Sequence, residues 1–114
     1  MKSSLSTNIG SLRLDQPTVL ASGILGISLD VFKRLHNAGA GAVVTKSLSK
    51  EPWEGYPNPT IFSVKGGGWI NAVGLSNPGA ETFAKMIEPN NDVPIIVSLV
   101  GSIEDDFEYM MKKF

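Results

Sequence analysis

The chain has 114 residues, enough for one small domain, with 42% hydrophobic and 18% charged side chains and a formal net charge of −1. It carries no basic stripe and no run of like charge, which argues against nucleic acid or a membrane surface as the main partner. There is no cysteine, so disulfides, zinc-thiolate sites and thiolate catalysis are excluded within the chain, and the single His36 cannot build a zinc site alone, so no metal is expected. No stretch approaches the ~18 apolar residues of a membrane-crossing helix. The segment Met1 to Leu5 lacks the apolar run of a signal peptide, and a cytoplasmic location is expected.

In chain order, Leu5, Thr7 and Ile9, then Leu12 and Leu14, alternate around Gly10-Ser11 and predict a small hairpin. Pro17 to Ala21 reads as a short strand ended by Ser22-Gly23. Ser28 is a candidate helix N-cap, with Leu29, Phe32 and Leu35 at helical spacing behind it. Lys33, Arg34 and His36 crowd the carboxyl end of that helix, where its dipole favours cations, and Gly39 suits the position just past the end.

Gly41 to Lys46 forms the second strand. Its apolar run ends in Thr45-Lys46-Ser47, at the place where α/β folds put ligands. Lysine is unfavourable to bury without an anionic partner, so negative charge is expected close to Lys46. Snorkelling of Lys46 to solvent is the competing reading.

Periodicity then vanishes from Ser49 to Asn77, a stretch punctuated by prolines and by Gly66-Gly67-Gly68. Loops of this length are functional or disordered, and the apolar Trp53, Tyr56, Ile61, Phe62, Trp69 and Ile70 argue for order. One short hairpin is expected around Ile61 to Val64. The three glycines are read as a flexible tip, since no Lys-Ser/Thr follows to make a phosphate loop. Trp53, Tyr56 and Trp69 are read as loop packing or subunit contacts.

Asn77-Pro78 looks like an N-cap followed by proline at the first helical position, and Pro89 with Asn90-Asn91 ends that helix. Pro94 to Val100 is apolar on both faces, as in a parallel strand covered by helices. Ser102 with Asp105 resembles a capping box, and Ile103, Phe107, Met110, Met111 and Phe114 give the last helix an apolar stripe.

A hairpin followed by three strand-helix units means an α/β fold with a parallel sheet. The first strand-helix turn, Ser22-Gly23-Ile24-Leu25-Gly26, lacks the G-x-G-x-x-G of a dinucleotide fold. Three units in this length correspond to the first three-eighths of a (β/α)8 barrel, which typically needs ~250 residues. Residues 1–114 are therefore expected to be the amino-terminal part of a single, incomplete TIM-barrel domain.

Several segments together resemble the amino-terminal part of class 1 dihydroorotate dehydrogenases. They are Leu20 to Gly23, Gly39 to Ser47, Glu51-Pro52, Gly55 to Pro59 and Ile70 to Gly79. The pairing of Thr45-Lys46-Ser47 with the Asn-Ala-x-Gly-Leu-x-Asn-Pro-Gly loop is the specific part. The Asn-Ala-Val-Gly-Leu form is closer to the NAD-linked subclass than to the fumarate-using one.

The resemblance implies a TIM barrel that binds FMN at the carboxyl ends of its strands and oxidises dihydroorotate to orotate in de novo pyrimidine biosynthesis. It places Ala21, Ser22, Gly23, Lys46 and Ser47 against the flavin. It places Lys46, Asn71, Ala72, Val73, Gly74 and Leu75 against the substrate. The charge of Lys46 would stabilise the anionic reduced flavin and pair with the orotate carboxylate. Asn71 would donate and accept across the pyrimidine ring. Ser98 stands where the family often has a flavin-contacting asparagine, a departure whose role stays open.

The family's catalytic base, a cysteine in this subclass, is expected beyond Phe114, so no catalytic residue is assigned within the chain. The implied partners are the remainder of the barrel, an electron-transfer subunit carrying FAD and an iron-sulfur cluster, and further copies in a homo-oligomer. The electron acceptor is not legible. Two rivals stand beside this reading: a stand-alone, non-catalytic α/β binding module, and a related flavin barrel that reduces pyrimidine bases. The plain reading of Asn71 is a turn residue with a hydrogen-bonded side chain. His36 is read as complementing its helix end, and Met110 with Met111 as core on a helix face.

Overall fold

The computed structural model describes residues 5–89 and 92–114. The expected elements appear in order. Strands β1 (Thr7–Ile9) and β2 (Leu12–Leu14) pair antiparallel across the Gly10-Ser11 turn, with Gly10 at φ 57. Then come β3 (Val19–Leu20), α1 (Leu29–Asn37) and β4 (Ala42–Val44). The long middle segment holds a second hairpin, β5 (Ile61–Ser63) with β6 (Trp69–Asn71). It is followed by α2 (Ala80–Ile87), β7 (Ile95–Ile96) and α3 (Glu104–Met111).

Strands β3, β4 and β7 form a parallel sheet with β4 in the middle, in the register Val19↔Ala42 and Val43↔Ile95. The architecture is α/β, with a helix after each parallel strand. Helices α1 and α2 send Phe32 and Phe83 into one core with Val43, Leu48 and Val93. The two rings sit 6.3 Å apart at 55°, a tilted packing of aromatic edges and faces. Leu20, Leu35, Ile95, Val97 and Leu99 close around them.

Local details depart from the sequence expectations. The third strand reads as apolar from Pro94 to Val100, but its regular ladder is only Ile95–Ile96, continued by a bridge from Leu48 to Leu99. Helix α2 begins two residues late: Gly79, not Asn77, occupies the N-cap with φ 82, and Asn77 Oδ1 accepts from the Gly79 N–H just ahead of the helix. Helix α3 has Ile103, not Ser102, at its N-cap, with no side-chain cap bond, so the capping box does not form. Ser28 is at the N-cap of α1, again without a side-chain bond. Asn90 and Asn91 lie outside the described residues, as does Met1 to Ser4 of the amino terminus.

The glycine run is a hairpin turn: Gly67 N–H donates to the Val64 carbonyl and Val64 N–H to Gly68. Met110 is buried as expected, but Met111 is 62% exposed, because only one residue of an adjacent pair can face the core of a helix. His36 bonds through Nδ1 to the Ala40 carbonyl at 2.9 Å, which ties the helix end to the chain that follows.

Candidate functional site

Parallel strands share one direction, so the segments that follow β3, β4 and β7 leave the sheet at a common edge. These segments are Ala21-Ser22-Gly23, Thr45-Lys46-Ser47 and Val97-Ser98. The chain must pack closely here. A Cβ on Gly26 would lie 2.2 Å from the Lys46 amide nitrogen, so only glycine lets the loop after β3 touch the end of β4. The Lys46 N–H uses that approach and donates to the Gly26 carbonyl at 2.7 Å. Gly23, by contrast, has nothing within 4 Å of where a Cβ would be, leaving open space above the strand ends.

The hydrogen bonds between β4 and β7 carry an irregularity. Val43 N–H donates to Pro94 and Thr45 N–H to Ile96, a step of two residues on each strand. The next bond runs from Leu48 N–H to Ser98, a step of three on one strand and two on the other. Lys46 and Ser47 thus form a β-bulge, one residue longer than the partner strand. In a regular parallel ladder the Ser98 N–H would go to the Thr45 carbonyl. It goes instead to the Thr45 hydroxyl at 2.9 Å, and Thr45 is fully buried. The Ser47 and Ser98 hydroxyls lie 3.0 Å apart and share a hydrogen bond. No sequence pattern announced this contact.

Lys46 is half-buried. The anionic neighbour expected from the sequence is not supplied by the chain: among the described residues no carboxylate forms an ion pair with Lys46. A half-buried lysine without a carboxylate partner leaves its charge to solvent or to a ligand.

The other predicted residues lie on the excursion between β4 and α2. Asn71 ends β6, is exposed, and pairs through its backbone with Ile61. It is a strand-end residue, not a turn residue, and its side chain has no protein partner among the described residues. Ala72 N–H donates to Thr60, and the Val73 carbonyl accepts from Tyr56 N–H at 3.1 Å. Gly74, at φ 78, lies against the Tyr56 ring, where a Cβ would sit 2.7 Å from Cδ2. The N–H groups of Val73, Gly74 and Leu75 meet no acceptor among the described residues. Leu75 is 55% exposed with φ 56, an unusual value for a residue that is not glycine.

This excursion is rooted by Asn77, which is buried. Its Oδ1 accepts from the N–H groups of Ser49 at 3.1 Å and Gly79 at 3.0 Å. Its Nδ2 donates to the Leu75 carbonyl at 2.8 Å and the Ser49 hydroxyl at 2.9 Å. The exit of β4, the return of the hairpin and the start of α2 thus meet on one side chain. A groove of about 670 Å³ opens beside this root, with Trp53, Tyr56, Leu75 and Val100 among its walls. It shares Gly74 and Leu75 with the predicted substrate loop but not Lys46, Ser47 or Ala21 to Gly23. Among the described residues no cluster of His, Cys, Asp or Glu is placed to hold a metal, and no helix is long and apolar enough to cross a membrane.

The chain has the α/β architecture of strand, crossover helix and parallel strand, in which polar segments collect at the carboxyl edge of the sheet. The sequence model of dihydroorotate dehydrogenase matches residues 4–114, and the chain belongs to that family. It is 42% identical over 114 residues to the dihydroorotate dehydrogenase B (NAD(+)) catalytic subunit of Pyrococcus horikoshii, covering 99% of this chain and 37% of the relative. It is 45% identical over 104 residues to the protein of that name from Methanothermobacter thermautotrophicus, covering 90% of this chain and 34% of the relative.

Among solved structures, ligand-free DHODH from Eimeria tenella superposes with a TM-score of 0.75 at 22% identity, covering 96% of this chain and 34% of that one. Its complex with ferulenol gives 0.72 at 21% identity, covering 96% and 33%. These likenesses show the fold. The chain spans about a third of the length of the relatives it matches.

Proposed function

We propose that this chain forms the amino-terminal part of an FMN-dependent dihydroorotate dehydrogenase, a (β/α)8 barrel that makes orotate for pyrimidine synthesis. One observation carries the reading: Lys46, half-buried at the end of the central strand, has no anionic partner among the described residues and stands beside small, open positions. That donor set suits a planar anionic group. Ala21, Ser22 and Gly23 offer backbone and open space to a flat ring, and Ser47 offers a hydroxyl next to Lys46.

FMN, when bound there, supplies the acceptor for the hydride that leaves dihydroorotate. The chain's own residues bind and orient. Lys46 pairs with the substrate carboxylate and holds negative charge at the flavin side. Asn71 donates and accepts across the pyrimidine ring, and the N–H groups of Val73, Gly74 and Leu75 hold the substrate from above. The proton-abstracting base comes from the remainder of the enzyme, since this chain contains no cysteine. The names of the relatives support an electron-transfer partner subunit, which we place with FAD and an iron-sulfur cluster, in a cytoplasmic homo-oligomer.

The test is anaerobic mixing of the complete enzyme that carries this chain with dihydroorotate, following the flavin absorbance. Bleaching in the parent, slowed about 10²–10³-fold by Lys46→Ala, is expected from the loss of one charge at a developing anion. A parent that purifies without flavin, or a variant that bleaches at the parental rate, overturns the assignment.

A further inference from the structure

We propose that Thr45 is a positioning residue whose buried hydroxyl holds the β-bulge that presents Lys46 and Ser47 at the strand end; this rests on the flavin-site reading above. Side chains alternate along a strand, so Val43 and Thr45 share the face that packs on α1 and α2. Without an extra residue, Leu48 would fall on the opposite face. It is instead fully buried in the cluster with Phe32, Val43 and Phe83, opposite Leu99. The bulge allows this, because one inserted residue restores the parity of everything that follows it.

The insertion leaves Lys46 and Ser47 together opposite Ser98, and it breaks the ladder where Ser98 N–H needs an acceptor. Thr45 Oγ1 takes that N–H at 2.9 Å. The same Ser98 bonds through its hydroxyl to Ser47. A chain of contacts thus runs from a buried hydroxyl, through the backbone of one strand, to a side chain of the site. Valine has nearly the shape of threonine and no acceptor. In its place the Ser98 N–H loses its partner, and Ser98 is free to shift and carry Ser47 with it.

The experiment compares Thr45→Val and Thr45→Ser in the complete enzyme by two measurements. The first is amide exchange at Ser98 in the flavin-free protein, which reports the hydrogen bond irrespective of catalysis. Exchange is expected to accelerate at least about tenfold in Thr45→Val and to stay near parental in Thr45→Ser. The second is flavin reduction by dihydroorotate. A drop of about tenfold to a hundredfold is expected in Thr45→Val, as small misplacements of reacting groups produce, with recovery to within a few-fold in Thr45→Ser. A general loss of stability would accelerate exchange at many amides rather than selectively at Ser98, and would not be rescued by a shorter hydroxyl side chain. Parental reduction in Thr45→Val, or Thr45→Ser failing as badly as valine, overturns the positioning role while leaving the flavin site intact. A parent that neither holds flavin nor is reduced overturns both readings, and a Ser98 amide indifferent to valine removes the hydroxyl as the pin.

Discussion

The strand-end rim and the hairpin arm are built in opposite ways. At the rim, backbone groups of β4 pass to both neighbours, Thr45 and Leu48 are fully buried, and glycine is required where Gly26 meets Lys46. In the arm every residue of β5 and β6 is exposed, with Trp69 at 75%, and the two strands bond mainly to each other. The arm is tied down at its root, through Asn77 and the reciprocal backbone bonds between Trp53 and Asn77 at 2.9 and 2.8 Å. Two kinds of task fit this contrast. A cofactor that stays in place is best held by groups locked by packing, whereas a substrate that must enter and leave is best covered by an element hinged at one buried polar node.

The most damaging way to break the comparison is at the rim. Gly26→Ala drives a methyl group into the Lys46 backbone, an overlap no flexible side chain can relieve. A loss of about 3–5 kcal/mol, or failure to recover soluble enzyme, is expected from strain of this kind. Urea unfolding with a parental midpoint would mean that the two segments separate at no cost.

Next in size is the root of the arm. Asn77→Ala leaves the N–H groups of Ser49 and Gly79 without their acceptor, which costs about 2–3 kcal/mol at a buried position. Amide exchange should accelerate across Ile61 to Asn71 while Val43 and Ile96 keep their protection. Uniform acceleration in both regions would show that arm and rim open as one unit.

A smaller effect separates substrate from cofactor. Asn71→Ala should retain the yellow flavin and lose orotate affinity about tenfold, as a hydrogen bond worth ~1.5 kcal/mol implies. Titration of orotate against the flavin absorbance reads it. Loss of flavin with unchanged orotate binding would move Asn71 from the arm's task to the rim's.

The smallest effect lies outside both regions, where α2 meets α3. The Glu81 carboxyl is held below the ordinary carboxylate range, first by the hydrogen bond from Lys85, then by Tyr109, with the charges of Lys85 and Lys113 adding to it. A depressed carboxyl contributes stability that is present above its unfolded value and is lost as pH falls through its folded one. Glu81→Gln should therefore lower Tm slightly at pH 7, and the gap to the parent should close in acid. Since Glu81 is exposed, the change stays within the range of ordinary surface substitutions. A gap that widens in acid would reverse the sign of the interaction.

Much of this protein follows from its sequence alone. Period-two and period-3.6 patterns set the order of hairpin, strands and helices, because those periods are local properties of the backbone. Lys46 after an apolar run marked the edge of the candidate site, since a lysine there has to be explained by a ligand or by solvent. The family resemblance extended this to Ala21, Ser22, Gly23 and the loop from Asn71. What the sequence could not decide depends on which group comes to lie opposite which. Asn77 reads as a helix cap, yet it serves as a buried junction because Ser49, distant along the chain, arrives beside it. Gly26 reads as one more loop glycine until the amide of Lys46 meets it. The bulge at Lys46-Ser47 exists only in the pairing of β4 with β7, and the Thr45 hydroxyl finds its donor there only after one strand has gained a residue on the other. Local preference shaped the elements; register, which is a relation between strands, decided the geometry of the site.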